Sequence, residues 1–250
     1  MSDEKKILHI VVLIAMEAEA KPLLDAYTTL EPHNCTVFSN APCLVYTGKS
    51  GNGECRLSVV TNGKCQKFGV DNVGTAPATI ATMVAIAEFK PCLLISAGTS
   101  GGFKSKGVSI NDTFISTKCV NHDRRIPIPG FTEYGVGCQD SIPCPNLIKA
   151  LGLKSGVVTS SNSLDHNDSD DKIMAENDAS VKDMEAAAIA WVAKLSNIPF
   201  FALKVVTDIV DGDRPTEDEF LENLLQASVT LQEKLSKVID FLADQKLCQL

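Results

Sequence analysis

Apolar residues in this chain follow two alternating patterns: short runs dense in Val, Ile and Leu, and longer alanine-rich stretches with apolar residues at helical spacing. Short continuous runs mark strands, and three- to four-residue periodicity marks helices. Residues 8–14 (LHIVVLI) read as a strand, followed by a helix from about Glu17 to Tyr27. Residues 43–47 and 56–61 read as a hairpin or meander with Gly51 and Gly53 at its turn. Residues 74–89 (GTAPATIATMVAIAEF) predict a helix that stops before Pro91, and CLLISAG is the next strand. Further on, 155–160 reads as a strand, 186–196 as a small-residue helix and 199–206 as a strand. The last helix opens at Thr216-Glu217-Asp218-Glu219, a capping-box pattern in which Thr216 caps and Glu219 reaches back.

Strands that are apolar throughout are buried on both faces, so the pattern predicts an α/β protein with helices on both sides of its sheet. No internal repeat and no Gly-, Ser- or Pro-rich linker divides the 250 residues. One domain over 1–250 is expected, with an ordered core of about 8–242 and its loosest loops at 102–110 and 121–146.

Composition narrows the function classes. A formal charge of −8 argues against binding a nucleic-acid backbone, which needs clustered Lys and Arg. The nine cysteines contain no CxxC pair, so zinc is not expected, and reduced thiols in a cytoplasmic protein fit best. The N-terminal apolar run is closed by Glu17 and Glu19, too short for a membrane span of roughly 20 residues.

In open α/β sheets ligands gather at the carboxyl ends of strands. Four polar stretches fall there: AMEAE (15–19), SAGTSGG (96–102), KDMEAAA (182–188) and VVTDIVD (205–211). Each has a plain reading. Glu17, Glu19 and Glu185 are first-turn acids favoured by a helix dipole, and the glycines of SAGTSGG form a tight turn. The sharper reading centres on Asp208. Val205, Val206, Ile209 and Val210 surround it, and such desolvation raises a carboxyl's pKa until it can serve as a proton donor. Asp211 and Asp213 read as turn and surface residues.

AMEAE, AGTSGGF, DMEAAAIA and VVTD, in this order and at these separations, resemble the 5′-methylthioadenosine/S-adenosylhomocysteine nucleosidases of the purine nucleoside phosphorylase superfamily. HDRRIPIPGFTEYGVG (122–137), GVDNVGTAPA (69–78) and VDGDRPT (210–216) look like the plant members, and the likeness runs from about residue 8 to 242. The resemblance implies a three-layer α/β/α domain with a mixed, partly barrel-like sheet, a homodimer, a small nucleoside substrate and no cofactor or metal. It implies hydrolysis of 5′-methylthioadenosine to adenine and 5-methylthioribose, with weaker action on S-adenosylhomocysteine. Two carboxylates serve that chemistry, an acid for the leaving base and a base for water, as in inverting glycosidases. By resemblance Asp208 is the acid and Glu19 the base, leaving Glu17 solvated. Glu185 holds the ribose hydroxyls, Met184 packs on the sugar, Thr99 lies near ribose and water, and Leu164 and Asp165 lie on the adenine loop.

One stretch departs from the family, which usually has Gly-Asp where this chain has Ser161-Asn162, so altered rate or specificity is expected there. Two rivals follow from the resemblance. A phosphorylase would need cations over a phosphate, and Arg124-Arg125 is the only adjacent basic pair in the central chain. A non-catalytic nucleoside-binding or storage relative would have lost the acids, whereas Glu19, Glu185 and Asp208 are present. A Cys-His nucleophile lacks any supporting pattern.

Overall fold

The computed structural model describes residues 6–51, 55–243 and 245–250, so Gly53 of the expected hairpin turn lies outside the described residues. A single mixed sheet organises the chain. Its centre is β1 (His9–Ile14), buried at every position and paired in parallel with β4 (Arg56–Thr61) and β5 (Leu93–Gly102). Next to β4 runs β3 (Leu44–Lys49), antiparallel as a hairpin requires, and then the short β2 (Glu31–Pro32). On the other side β5 meets β10 (Phe200–Ile209), which pairs with β6 (Thr113–Asn121). Strand β6 continues to β8 (Lys154–Ser160), β8 to β9 (Ala179–Asp183), and β9 returns to β5. The five strands β5, β10, β6, β8 and β9 thus close into a barrel, and the short β7 (Gln139–Asp140) pairs with β6.

Helices cover both faces, as the apolar strands require. One layer holds α1 (Glu17–Ala26), α4 (Pro145–Leu151) and α7 (Thr216–Leu242), whose Leu231, Leu235, Val238 and Leu242 pack on β1 and β10 residues such as Ile10 and Phe201. The other layer holds α2 (Thr75–Phe89) and α6 (Ala186–Leu195), whose alanines let them approach Val11, Leu94 and Ala202 closely. Two short helices, α3 (Thr132–Val136) and α5 (Asp168–Glu176), flank the barrel. No helix among the described residues is long and apolar enough to cross a membrane.

Three local expectations change. The glycine-rich SAGTSGG is the second half of β5 rather than a turn. Strand β10 runs through Asp208, with a bulge between Val206 and Asp208. At the start of α7 no side chain caps the helix; Glu219 Oε2 instead accepts from the Ile209 backbone N–H at 2.8 Å, tying α7 to the end of β10.

Candidate active site

At the carboxyl ends of β1, β5 and β10 lies a cavity of about 580 Å³, within the range of small-ligand sites. Its wall includes Glu19, Thr99, Leu164, Met184, Glu185 and Asp208. Six of the seven residues singled out from sequence therefore meet in one space; the seventh, Asp165, is exposed beside it.

Glu19 is brought in by the first turn of α1 and is almost fully buried. Its Oε1 accepts from the Thr99 backbone N–H and from Thr99 Oγ1, both at 2.7 Å, and its Oε2 accepts a longer bond of 3.4 Å from Met16 N–H. Any side chain at position 98 would stand 3.3 Å from Oε1, so Gly98 lets β5 pass close to this carboxylate. Glu17 points elsewhere. It pairs with Lys64 at 2.6 Å while its backbone N–H donates to Asp71 Oδ1, so it tethers the 64–71 loop that roofs the cavity rather than standing free in solvent.

Asp208 is 3% exposed. Burial pushes its carboxyl above the ordinary value, Glu219 adds to the rise, and the Thr207 hydroxyl and Lys182 oppose it. Thr207 Oγ1 donates to Asp208 Oδ1 at 2.7 Å, which leaves Oδ2 to carry a proton. That second oxygen overhangs Gly101, where a Cβ would meet it at 2.6 Å. Glu185 precedes α6 and accepts from Gly74 N–H at 2.8 Å across the cavity. Gly74 has φ of +100°, a conformation an L side chain resists. Burial, Asp183 and Glu19 push the Glu185 carboxyl up to about 7, against the pull of Lys204 and of Gly74 N–H.

Sequence reading missed the cations and their partners. Lys204 on β10 pairs with Asp183 at the end of β9, and the same recess is lined by Glu19, Glu185 and Thr99. Asp183 also accepts from Ala186 N–H at 2.9 Å, and Ser160 Oγ from Ala187 N–H at 2.9 Å, so β8 and β9 cap α6. Lys182 lines the main cavity. A lysine in a buried strand was the available signal, because an unpaired ammonium there is costly.

The unusual Ser161-Asn162 has a structural role. Asn162 Oδ1 accepts from Thr75 N–H at 2.9 Å and Thr75 Oγ1 at 2.8 Å, capping α2 from across the cavity mouth, while its own N–H donates to Asp123. Ser161 is not among the residues with positive φ, so the missing glycine leaves no strain. Arg125 pairs with Asp170 and Arg124 lies over the Tyr134 ring at 5.1 Å; neither lines the cavity.

The model of the phosphorylase superfamily matches residues 9–240. A 5′-methylthioadenosine nucleosidase of Arabidopsis thaliana is 43% identical over 246 residues, 98% of this chain and 91% of that protein. A 5′-methylthioadenosine/S-adenosylhomocysteine nucleosidase of the same plant is 42% identical over 248 residues, 99% of this chain and 97% of that one. The apo structure of the Arabidopsis 5′-methylthioadenosine nucleosidase superposes with a TM-score of 0.95, covering 98% of this chain and all of the other at 43% identity. With fold and sequence matched along nearly its whole length, the chain belongs to the phosphorylase superfamily and, within it, to the 5′-methylthioadenosine/S-adenosylhomocysteine nucleosidases.

Proposed function

We propose that this protein hydrolyses the N-glycosidic bond of 5′-methylthioadenosine, giving adenine and 5-methylthioribose, with S-adenosylhomocysteine as the poorer substrate. The observation that carries the reading is the pairing in one cavity of two buried carboxyls held in opposite ways. Burial raises the Asp208 carboxyl above its ordinary value, and Glu19 is fixed as an acceptor by Thr99.

In this reading Asp208 Oδ2 gives its proton to adenine N7 as the C1′–N9 bond breaks, so the electron pair leaves on a neutral base. A water bound at Glu19 attacks C1′ of the oxocarbenium-like sugar, and Glu19 takes the water's proton. Thr99 orients Glu19, Glu185 holds the ribose hydroxyls, Met184 packs on the sugar, and the loop bearing Leu164 and Asp165 frames adenine. An anionic Glu19 would repel phosphate, which favours water as the nucleophile.

We read the chain as one domain over 1–250 that pairs as a homodimer. Helices α2 and α6 pack together and expose Ile80, Met83, Trp191 and Leu195, apolar side chains suited to burial against a second copy. All nine cysteines are free thiols, which supports a reducing, cytoplasmic setting.

Product analysis tests the reading. Purified protein given 5′-methylthioadenosine without phosphate should release adenine and methylthioribose, and Asp208→Asn should slow this by at least about a hundredfold. Turnover only with phosphate, yielding the sugar 1-phosphate, would overturn Glu19 as water's base. Binding without turnover in either buffer would make this a non-catalytic relative.

A further inference from the structure

Lys182 has no part in the chemistry described so far, yet it is a lysine 6% exposed in the wall of the cavity. Burial of a flexible ammonium without partners would be strongly unfavourable. Its partners are two backbone carbonyls: Nζ donates to Leu164 O at 2.6 Å and Ser163 O at 3.1 Å, both on the loop that carries Leu164 into the cavity.

Its place in the barrel is equally specific. Lys182 on β9 is the register partner of Gly101 on β5, and Gly101 is the register partner of Asp208 on β10. Residues in one row across adjacent strands project to the same face. Lys182 and Asp208 therefore flank a glycine, about two strand spacings, or roughly 10 Å, apart at the backbone. The Asp208 carboxyl fills the space above Gly101, leaning across the gap that a side chain there would close.

We propose that Lys182 is the positioning residue of the purine end of the site. Its ammonium ties down the 163–164 backbone and stabilises the Asp208 carboxylate that remains once the proton has passed to the purine. This rests on the reading of Asp208 as the acid. Burial brings the Lys182 ammonium below its ordinary value, against the pull of Asp208 from β10, Asp165 from the loop, Asp183 from β9 and Asp170 from α5, and His122 just past β6 also faces it. Around Asp208 stand Thr207 and Lys182, which favour the ionised form, and Glu219 from α7, which disfavours it, as burial does.

The sign follows. A cation across Gly101 makes Asp208 a stronger acid, so removing the charge keeps Asp208 protonated to higher pH and makes proton transfer less favourable. Activity needs the protonated form, so the alkaline limb of the rate profile moves up while kcat falls.

The test is the pH dependence of kcat/KM for 5′-methylthioadenosine in phosphate-free buffer. For K182Q, which keeps a donor for the carbonyls without the charge, the alkaline limb should rise by about one pH unit. Its kcat should fall about tenfold or more, while K182R keeps the limb in place. A K182Q limb coincident with the wild type, or a K182R limb displaced as far, overturns the proposal. K182M loses donor and charge together, so it should show the same displacement and bind adenine at least about tenfold more weakly by calorimetry. Unchanged adenine affinity overturns the loop-holding role, and either folded variant suffices for the limb. Asp208→Asn is run beside them. Near-normal turnover there sinks the acid assignment itself, whereas an inactive Asp208→Asn with an unmoved K182Q limb sinks only the role of Lys182.

Discussion

Lys204 Nζ and Asp183 Oδ2 meet 2.8 Å apart with side chains 2% and 1% exposed, deep beneath the cavity floor. Burial works against the ammonium, but Asp183, Glu185 and Glu19 outweigh it and hold Lys204 charged, above its ordinary value. One cation thus serves three carboxylates of the site. Lys204→Met removes the buried counter-charge they share and should cost about 3–5 kcal/mol, read from urea unfolding. Activity should be lost in whatever fraction still folds. A variant as stable as the parent would show the carboxylates are neutralised some other way.

The raised Asp208 carboxyl predicts a particular pH profile. Because the protonated form is the active one, kcat/KM should fall as pH rises through a value above the ordinary carboxyl figure of 3.8. Asp208→Asn should lower kcat by about 10²–10⁴-fold with little change in melting temperature. A wild-type limb near the ordinary carboxyl value would contradict the desolvated environment.

Gly101→Ala separates site geometry from folding. The added methyl would stand 2.6 Å from both Asp208 Oδ2 and Val210 Cγ2. Overpacking of this kind costs about 1–3 kcal/mol, yet the displaced carboxyl should cost kcat at least about a hundredfold. Stability and activity falling in step would argue against Asp208 as the group displaced.

Two imidazoles make the fold acid-sensitive. His9 bonds Ser58 Oγ and His122 bonds Thr159 Oγ1, both at 2.9 Å. Burial first, then Arg56 beside His9 and Lys182 beside His122, brings each pKa down to about 4. The unfolded chain, near 6.5, takes the proton first. Their stabilisation is therefore complete above about 6.5 and lost as pH falls through about 4, by up to ~1.4 kcal/mol per unit for each group. Urea midpoints at pH 7.5 and 5 should differ accordingly. Replacing His9 by Gln or His122 by Asn, which keep the bonding nitrogen, should flatten the difference.

Much of this was legible in the sequence where the signal was local. The apolar runs marked β1, β8 and β10, and the alanine-rich periodicity marked α2 and α6 to within a residue or two. Strands β6 and β9 were not legible, because Ser116, Thr117 and Lys118 break the apolar run of one and the other has five residues. Asp208 stood out because acid beside apolar strand residues is unusual, whereas Glu19 was singled out from Glu17 only by the family resemblance. Lys182 and Lys204 did not stand out, since their partners lie across strand pairings far apart in the chain. The apparent capping box at Thr216 failed for a tertiary reason: the Ile209 N–H, freed where β10 ends, captured Glu219 instead.

The bulge in β10 has a consequence for how such a site can arise. Strand side chains alternate between faces, and up to Val206, paired with Ser100, β10 keeps the regular count. The extra residue, Thr207, resets it, so that Asp208 rather than its neighbour stands opposite Gly101. In an unbroken alternation the residue directly after Val206 would stand opposite Gly101 and residue 208 would face the other side of the sheet, so the bulge moves that place along the chain by one. Delivery of the acid is thus a matter of chain length as much as of residue identity. An insertion or deletion between Val206 and Asp208 would shift every later residue of β10 against β5, whereas a side-chain exchange leaves the register as it stands.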